Sequence, residues 1–288
     1  MANRGLLRAG VLVLPSLVLI GVFFVFAMAL LLEMSINERG GATSSVAGLT
    51  ASNFADFLTS RYYLGIVGTT FKLAAVTTLV TLLIGYLAAY AISLQTSGVW
   101  RAASYFALFT PLLTSVIVRS YGWQLLLDDH GFVNSLLLSS HILRSPIRIL
   151  FDFSGVVIAM VHILLPFMAF PILSVLNQIG SDLSEAAADL GAGRWEVFSR
   201  VTLPLSLPGV LVGCQLVFAL SVSAFATPSI LGGGRVLVLA TLIYSDVTST
   251  LNWPFAAAEA YVLLTLAILA VVVFNRLVRA SYRARGVL

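Results

Sequence analysis

Few residues of this chain have side chains that can do chemistry, and their spacing excludes most of it. His130, His141 and His162 lack the spacing that gathers ligands around a metal. No H-E-x-x-H, G-x-S-x-G or D-x-x-D-G pattern is present, nor a G-x-x-x-x-G-K-[ST] loop to hold a nucleotide's phosphates. The lone Cys214 excludes an internal disulfide and lies in an apolar run, as an inert buried thiol does. Two sets of ionisable residues remain. Lys72, Arg119 and Glu259 sit inside apolar runs, where an ionisable group is a functional hypothesis by default. Asp182, Glu185, Asp189, Arg194, Glu196 and Arg200 crowd into one segment, Ser181–Gly209, between two such runs.

The elements that position them follow from composition. Of 288 residues, 59% are hydrophobic and 10% charged, whereas a soluble domain carries roughly 25% charged residues. Such a chain cannot cover a water-facing surface, so lipid is its solvent, and the net charge of +4 is no sign of nucleic acid. Six apolar runs, at approximately 11–36, 65–94, 103–127, 155–177, 207–231 and 254–275, each approach or exceed the ~20 residues that cross a bilayer. The first follows Arg4 and Arg8 and is longer than the core of a secretory signal, so it reads as an uncleaved span. The runs do not alternate with period two, which predicts helices rather than a barrel. Pro111, Pro166 and Pro228 predict kinks or breaks in the third, fourth and fifth spans.

Six spans place both termini on one side. That side holds the tail 1–10, the loops 95–102 and 178–206, and the tail 276–288. It collects Arg4, Arg8, Arg101, Arg194, Arg200, Arg276, Arg279, Arg283 and Arg285, against Arg39, Arg61, Arg144, Arg148 and Arg235 opposite. The positive-inside rule makes it the cytoplasm. Trp123 and Trp253 then mark the outer interface and Trp100 the inner one. The charged segment becomes the longest cytoplasmic loop.

Its local pattern predicts a helical knuckle. Asp182 is a candidate N-cap, with Glu185 completing a capping box. Ala186, Ala187 and Ala188 favour helix, and Gly191 is placed to end it in a left-handed turn. A second short helix is predicted from Arg194 to Val201, with Trp195, Phe198 and Val201 on one stripe and Pro204 and Pro208 ending it. A helix with Asp182, Glu185, Asp189 and Glu196 against Arg194 and Arg200 is repelled by anionic lipid. Docking on a partner protein and lying at the membrane surface are both open on these grounds.

The segment resembles the EAA loop of the membrane subunits of ATP-binding-cassette importers. Glu185-Ala186-Ala187 is followed after three residues by Gly191, then after nine by Val201 (usually Ile in that family), and by Leu203-Pro204. "LLTSVIVRSYGW" at 112–123, "GFVN" at 131–134, "SPIRILF" at 145–151, "HILLPFMAFPIL" at 162–173, "LPLSLPGVLVGCQLVF" at 203–218, "FATPSILGGG" at 225–234 and "NWPFAAA" at 252–258 are similar to spermidine/putrescine-type permeases, of the kind standing first in such systems. The resemblance covers the chain from about residue 50 to its end. It implies an all-α, six-span type I importer membrane domain in a bacterial inner membrane, with 65–275 as the permease core. It implies docking on an ATPase through Glu185, Ala186, Ala187, Gly191, Trp195, Leu203 and Pro204. The implied partners are ATPase subunits that bind the ATP and magnesium, a second and different permease chain, and a periplasmic solute-binding protein; the chain itself needs no cofactor or metal. A polyamine or related small amine is the implied solute, with GABA or opine, phosphonate, thiamine or iron as alternatives. A secondary transporter is the competing class, but no inverted repeat is visible.

Solute contacts are candidates only. Glu259 either faces the path and attracts a cation, pairs with Arg119 or Lys72, or sits at an interface. Arg119, itself a cation, fits a structural or gating role, paired with an acid, better than contact with an amine. Tyr121, Tyr244 and Tyr261 either stack on cations or anchor at the interface. Asp128, Asp129 and Asp246 fall on the periplasmic side, as solvated loop residues or as contacts for the incoming cation or its binding protein. Gly232, Gly233 and Gly234 suit a loop that needs positive φ. Lys72 is expected to snorkel outward, and His162 to pack within its span.

Overall fold

The computed structural model describes residues 2–37, 50–142, 144–179, 183, 187 and 191–284. It is helical, with no strand among the described residues. In chain order the helices are α1 (Ala2–Ser35), α2 (Ser52–Thr59), α3 (Arg61–Ser93), α4 (Gly98–Leu113), α5 (Val116–Leu127), α6 (Phe132–Ser139) and α7 (Phe153–Leu176). Then come α8 (Arg194–Val197), a wide turn (Phe198–Thr202), α9 (Leu203–Val222), α10 (Ala226–Leu231), α11 (Leu239–Thr248) and α12 (Trp253–Ala284). Val18–Ser35, Arg61–Ser93, Phe153–Leu176, Arg194–Val222 and Trp253–Arg276 are each long and apolar enough to cross a membrane. Gly98–Leu113 with Val116–Ser139, bent by 102°, makes a sixth span if the pair is one. Helix α1 extends into the predicted N-terminal tail and α12 into the predicted C-terminal one.

The prolines act differently from their prediction. The third span does break, but at Thr114–Ser115, one short step past Pro111, which itself lies inside α4. Helix α7 runs unbroken through Pro166 and Pro171. A lipid-embedded helix has no water to satisfy its backbone groups, so keeping register and losing one bond per proline costs less than opening the chain. The fifth span ends at Val222, before Pro228, which occupies the first turn of α10. There its missing N–H has no intrahelical acceptor to lose. Nor do Pro204 and Pro208 end a helix: α8 continues through the turn Phe198–Thr202 into α9.

Two compact units make up the chain: Met1–Leu64 with Leu242–Thr265, and Gly65–Thr241 with Leu266–Leu288. In the first, Phe57, Tyr63 and Phe255 form an aromatic cluster, with ring centroids 5.3 Å apart for Phe57–Tyr63 and 5.1 Å for Tyr63–Phe255. The buried Asn53 donates to the carbonyls of Ser35 and Asn37, both at 2.9 Å, and so closes the end of α1 onto α2. The Tyr261 hydroxyl donates to the Met28 carbonyl, tying α12 to α1.

In the second unit, α7 is buried along most of its length. Its fully buried Met168 lies between two glycines: a Cβ on Gly85 of α3 would stand 2.8 Å from Met168 Cγ, and one on Gly213 of α9 2.8 Å from its Sδ. A Cβ on Gly209 would stand 2.6 Å from the Pro171 carbonyl. Lipid supplies no hydrophobic force between helices, so such close backbone approach carries the packing. The Trp123 indole donates to His162 Nδ1 at 3.2 Å. His162 is therefore packed in its span as predicted, and half-buried Trp123 packs against the core. The Asn134 amide of "GFVN" donates to the carbonyls of Asp128 and Ile147 and accepts from the Ile147 N–H, fastening the loop before α7.

Candidate functional site

Of the charged segment, Asp182, Glu185 and Ala186 lie outside the described residues, and with them the predicted capping box. Leu183 and Ala187 are helical. Gly191 has φ +86°, and the Ala192 N–H donates to the Ala187 carbonyl at 3.1 Å. A left-handed glycine followed by that six-to-one bond closes a helix in the Schellman manner. The predicted left-handed turn is therefore present.

Beyond it, the Glu196 carboxylate reaches back to accept the Gly193 N–H at 3.3 Å and lies 3.8 Å from Arg200 Nη2, one helical turn on. The predicted stripe brings Trp195 and Phe198 together, their ring centroids 5.6 Å apart, but it is unevenly covered. Trp195 is 75% exposed, while Phe198 is half-buried against α3, its ring centroid 5.1 Å from Tyr90 and 6.0 Å from Tyr86. Tyr86 Oη in turn stands 3.0 Å from Ser206 Oγ of α9. Leu203 and Pro204 are exposed beside Trp195's helix. The knuckle thus presents an open apolar surface and is tethered behind it. A proline interrupts a helix by its missing donor and by its clash with the carbonyl four residues back. The five-residue turn directly before Pro204 widens the backbone where that clash would fall, as such turns do at functional positions.

The sequence reading missed a second tether. Arg101 Nη2 donates to Asn177 Oδ1 at 2.8 Å, and Asn177 Nδ2 donates to the Tyr105 hydroxyl at 3.1 Å. This fixes α4 to the C-terminal end of α7, where the chain departs toward the charged segment. Arg101, which the sequence assigns to a short loop and the structure to the first turn of α4, carries a topology signal but no pairing signal, so spacing alone had no way to reveal it.

The predicted solute-path residues separate into two groups, one in each unit. Arg119 meets no acid among the described residues. Its guanidinium donates to the carbonyls of Pro111 and Thr114, and Nε donates to Thr114 Oγ1 at 3.2 Å. It fills the orphaned C-terminal end of α4 at the break, where a cation also suits the helix dipole. Tyr121, on α5, is 56% exposed. Lys72 is exposed, and its Nζ lies 5.1 Å from the centroid of the Phe153 ring. In the other unit, Tyr244 and Asp246 stand on α11 and Glu259 on α12. Glu259 is fully buried, and neither of its carboxylate oxygens has a hydrogen-bond partner among the described residues. The Asp246 side chain is its neighbour and accepts from Thr250 Oγ1 at 3.1 Å. Two adjacent carboxyl groups, of which Glu259 has no donor among the described residues, call for a proton or a cation between them. No group of three or more metal-ligating side chains occurs among the described residues.

This architecture is that of the membrane domain of an ABC importer. The family described as "Binding-protein-dependent transport system inner membrane component" matches residues 81–284. The chain belongs to that family. It is 34% identical over 256 residues to the spermidine/putrescine transport system permease protein PotB of Haemophilus influenzae, covering 88% of this chain and 89% of that one. It is 32% identical over 250 residues to the PotB protein of Escherichia coli, covering 87% and 86%. In three dimensions it matches the crystal structure of a bacterial ABC transporter involved in the import of the acidic polysaccharide alginate. The TM-score is 0.78, over 97% of this chain and 96% of that one, at 20% identity. That likeness establishes the shared fold.

Proposed function

We propose that this chain forms half of the pathway of an ATP-driven importer for a polyamine of the spermidine or putrescine class. The observation that carries the solute is the identity to two spermidine/putrescine permeases along nearly their whole length. The knuckle supports the coupling half of the reading: a stiffly closed turn at Gly191, exposed Trp195, Leu203 and Pro204, and a rear tether through Phe198. In this reading an ATPase subunit receives Glu185, Ala186, Ala187 and Gly191, and binds the ATP and magnesium itself. Closure of the ATPase pair moves the knuckle, and α9, continuous with it, carries the motion into the membrane as a rigid-body change. A second permease chain completes the path and a periplasmic binding protein delivers the solute. Both termini and the loop 178–206 face the cytoplasm.

Glu259 with Asp246 is the proposed cation-attracting pair, while Arg119 holds the backbone at the α4–α5 break. The test is uptake of labelled spermidine into proteoliposomes holding the full complex, with ATP inside and binding protein outside. Uptake should require ATP, and Glu259→Gln should reduce it while the protein still assembles. Transport by this chain alone, without an ATPase, would refute the importer reading. Undiminished uptake in Glu259→Gln would remove the pair from the path.

A further inference from the structure

Helix α4 is fastened near its start and free to bend at its end. Gln95, just past α3, donates to Ser104 Oγ at 3.0 Å, and the Ser104 hydroxyl lies 3.2 Å from Gln95 Oε1. Arg101 and Tyr105, one turn apart, both hold Asn177 at the end of α7. Further along, the Phe109 ring centroid is 5.9 Å from that of Phe170 on α7. The helix then ends at the 102° bend into α5, where Arg119 holds the freed carbonyls. Beyond the bend the chain has another neighbour: Ser120 Oγ of α5 stands 3.2 Å from Thr227 Oγ1 of α10, and both residues are buried. The 16 residues of α4 reach about 24 Å at 1.5 Å each, most of the ~30 Å hydrocarbon core.

The fastening at Asn177 is specific and weak. A guanidinium can only donate, so the amide oxygen faces Arg101 and the amide nitrogen is left to donate to Tyr105. One side chain thus serves both. Asn177 is also where α7 stops: its N–H donates to the Leu173 carbonyl at 2.9 Å, and the charged segment follows within a few residues. Both bonds to α4 are exposed, and Arg101 has no acid partner among the described residues. Exposed bonds of this kind contribute little net free energy, and opening them strands no buried polar group. Such a link can be made and broken in every cycle, whereas the Ser120–Thr227 contact is enclosed.

We propose that Asn177 is a positioning residue of the transport cycle: it latches α4 to the root of the knuckle, so that displacement of the knuckle pulls α4 and works the α4–α5 elbow. The inference rests on the importer reading above and on its topology, which puts Asn177 at the cytoplasmic end of α7. Helix α9 carries the same displacement from the knuckle's other end. A knuckle attached at one end swings about that attachment; attached at both ends it translates, and the elbow angle follows.

The experiment uses the complete complex in proteoliposomes, with spermidine and binding protein outside and ATP inside. It reads spermidine taken up per ATP hydrolysed. It also reads the distance between spin labels on Phe106→Cys and Leu125→Cys, both exposed positions, in a chain carrying Cys214→Ala, with and without ATP and vanadate. In this labelled complex the distance should change on trapping. Asn177→Ala should abolish that change and lower uptake per ATP about two- to tenfold, the worth of one exposed hydrogen bond, while hydrolysis continues. Asn177→Asp can accept from both Arg101 and the Tyr105 hydroxyl. It should restore both readouts, which excludes misfolding as the cause, and the restored ratio should fall with salt because the bond to Arg101 is then an exposed ion pair. An unchanged uptake per ATP in Asn177→Ala overturns the latch, whatever happens to total activity. A labelled complex whose uptake needs ATP but whose elbow distance does not change also overturns it. Uptake that needs no ATP overturns the importer reading and this inference with it.

Discussion

Replacing Gly191 separates the shape of the knuckle from what docks on it. Gly191 has φ +86°, yet none of the described residues lies within 4 Å of where a Cβ would stand. An alanine therefore meets no internal clash and pays only for the left-handed backbone. That cost is about 1–2 kcal/mol, which shifts the closed-to-open ratio of the turn by roughly 5- to 30-fold. Asparagine tolerates the left-handed region better than alanine while being larger. If Gly191 acts by conformation, Gly191→Ala should impair spermidine uptake and ATPase co-purification more than Gly191→Asn. If it acts by letting a partner's surface approach, the order should reverse, because the larger side chain then obstructs more. Binding of the purified permease to its ATPase, measured by titration, distinguishes the two. Equal, wild-type binding by both variants would refute the coupling role of the turn altogether.

Three further perturbations follow from the geometry. Phe198→Ala removes the ring contacts with Tyr86 and Tyr90, each pair worth about 0.5–1.5 kcal/mol; ATP hydrolysis should persist while transported solute per ATP falls, read from paired uptake and phosphate-release assays. Arg119→Met leaves the Pro111 and Thr114 carbonyls without their donors and should cost about 1–3 kcal/mol in detergent unfolding; Arg119→Lys should recover only part, lacking the planar fork. Asp152→Ala removes the α7 cap and should cost about 0.5–2 kcal/mol at neutral pH. The Ser154 hydroxyl and N–H hold the Asp152 carboxyl below its ordinary pKa, so the cap's contribution is present above the unfolded carboxylate's pKa. It is lost as pH falls through the lowered value, and the wild-type and Asp152→Ala melting curves should converge there.

What the sequence made legible was whatever depends on one element at a time. Apolar run length located the membrane-crossing helices, because bilayer thickness imposes it residue by residue. The turn at Gly191 was legible for the same reason, since a helix end in Ala-rich sequence needs only its own glycine. Contacts between distant residues were hidden: nothing in the spacing of Arg101 indicates Asn177, and nothing in Arg119 indicates the carbonyls of Pro111 and Thr114. Arg119 was expected to seek an acid because side chains were weighed against side chains. At a helix break the strongest unmet acceptors are backbone oxygens.

Pro204 failed as a stop signal for an instructive reason. The rule that proline ends a helix presumes the regular four-residue register on its N-terminal side, and here a five-residue turn from Phe198 to Thr202 stands in that place. Had the chain stopped at Pro204, the knuckle would hang from the fifth span by a loop, and a push on Trp195 would be lost in loop motion. Because Arg194–Val222 is one helical body, displacement at the exposed Trp195 must move the α9 residues packed on α7, beginning with Gly209 and Gly213. The wide turn therefore does two things at once: it admits Pro204 and keeps the lever unbroken.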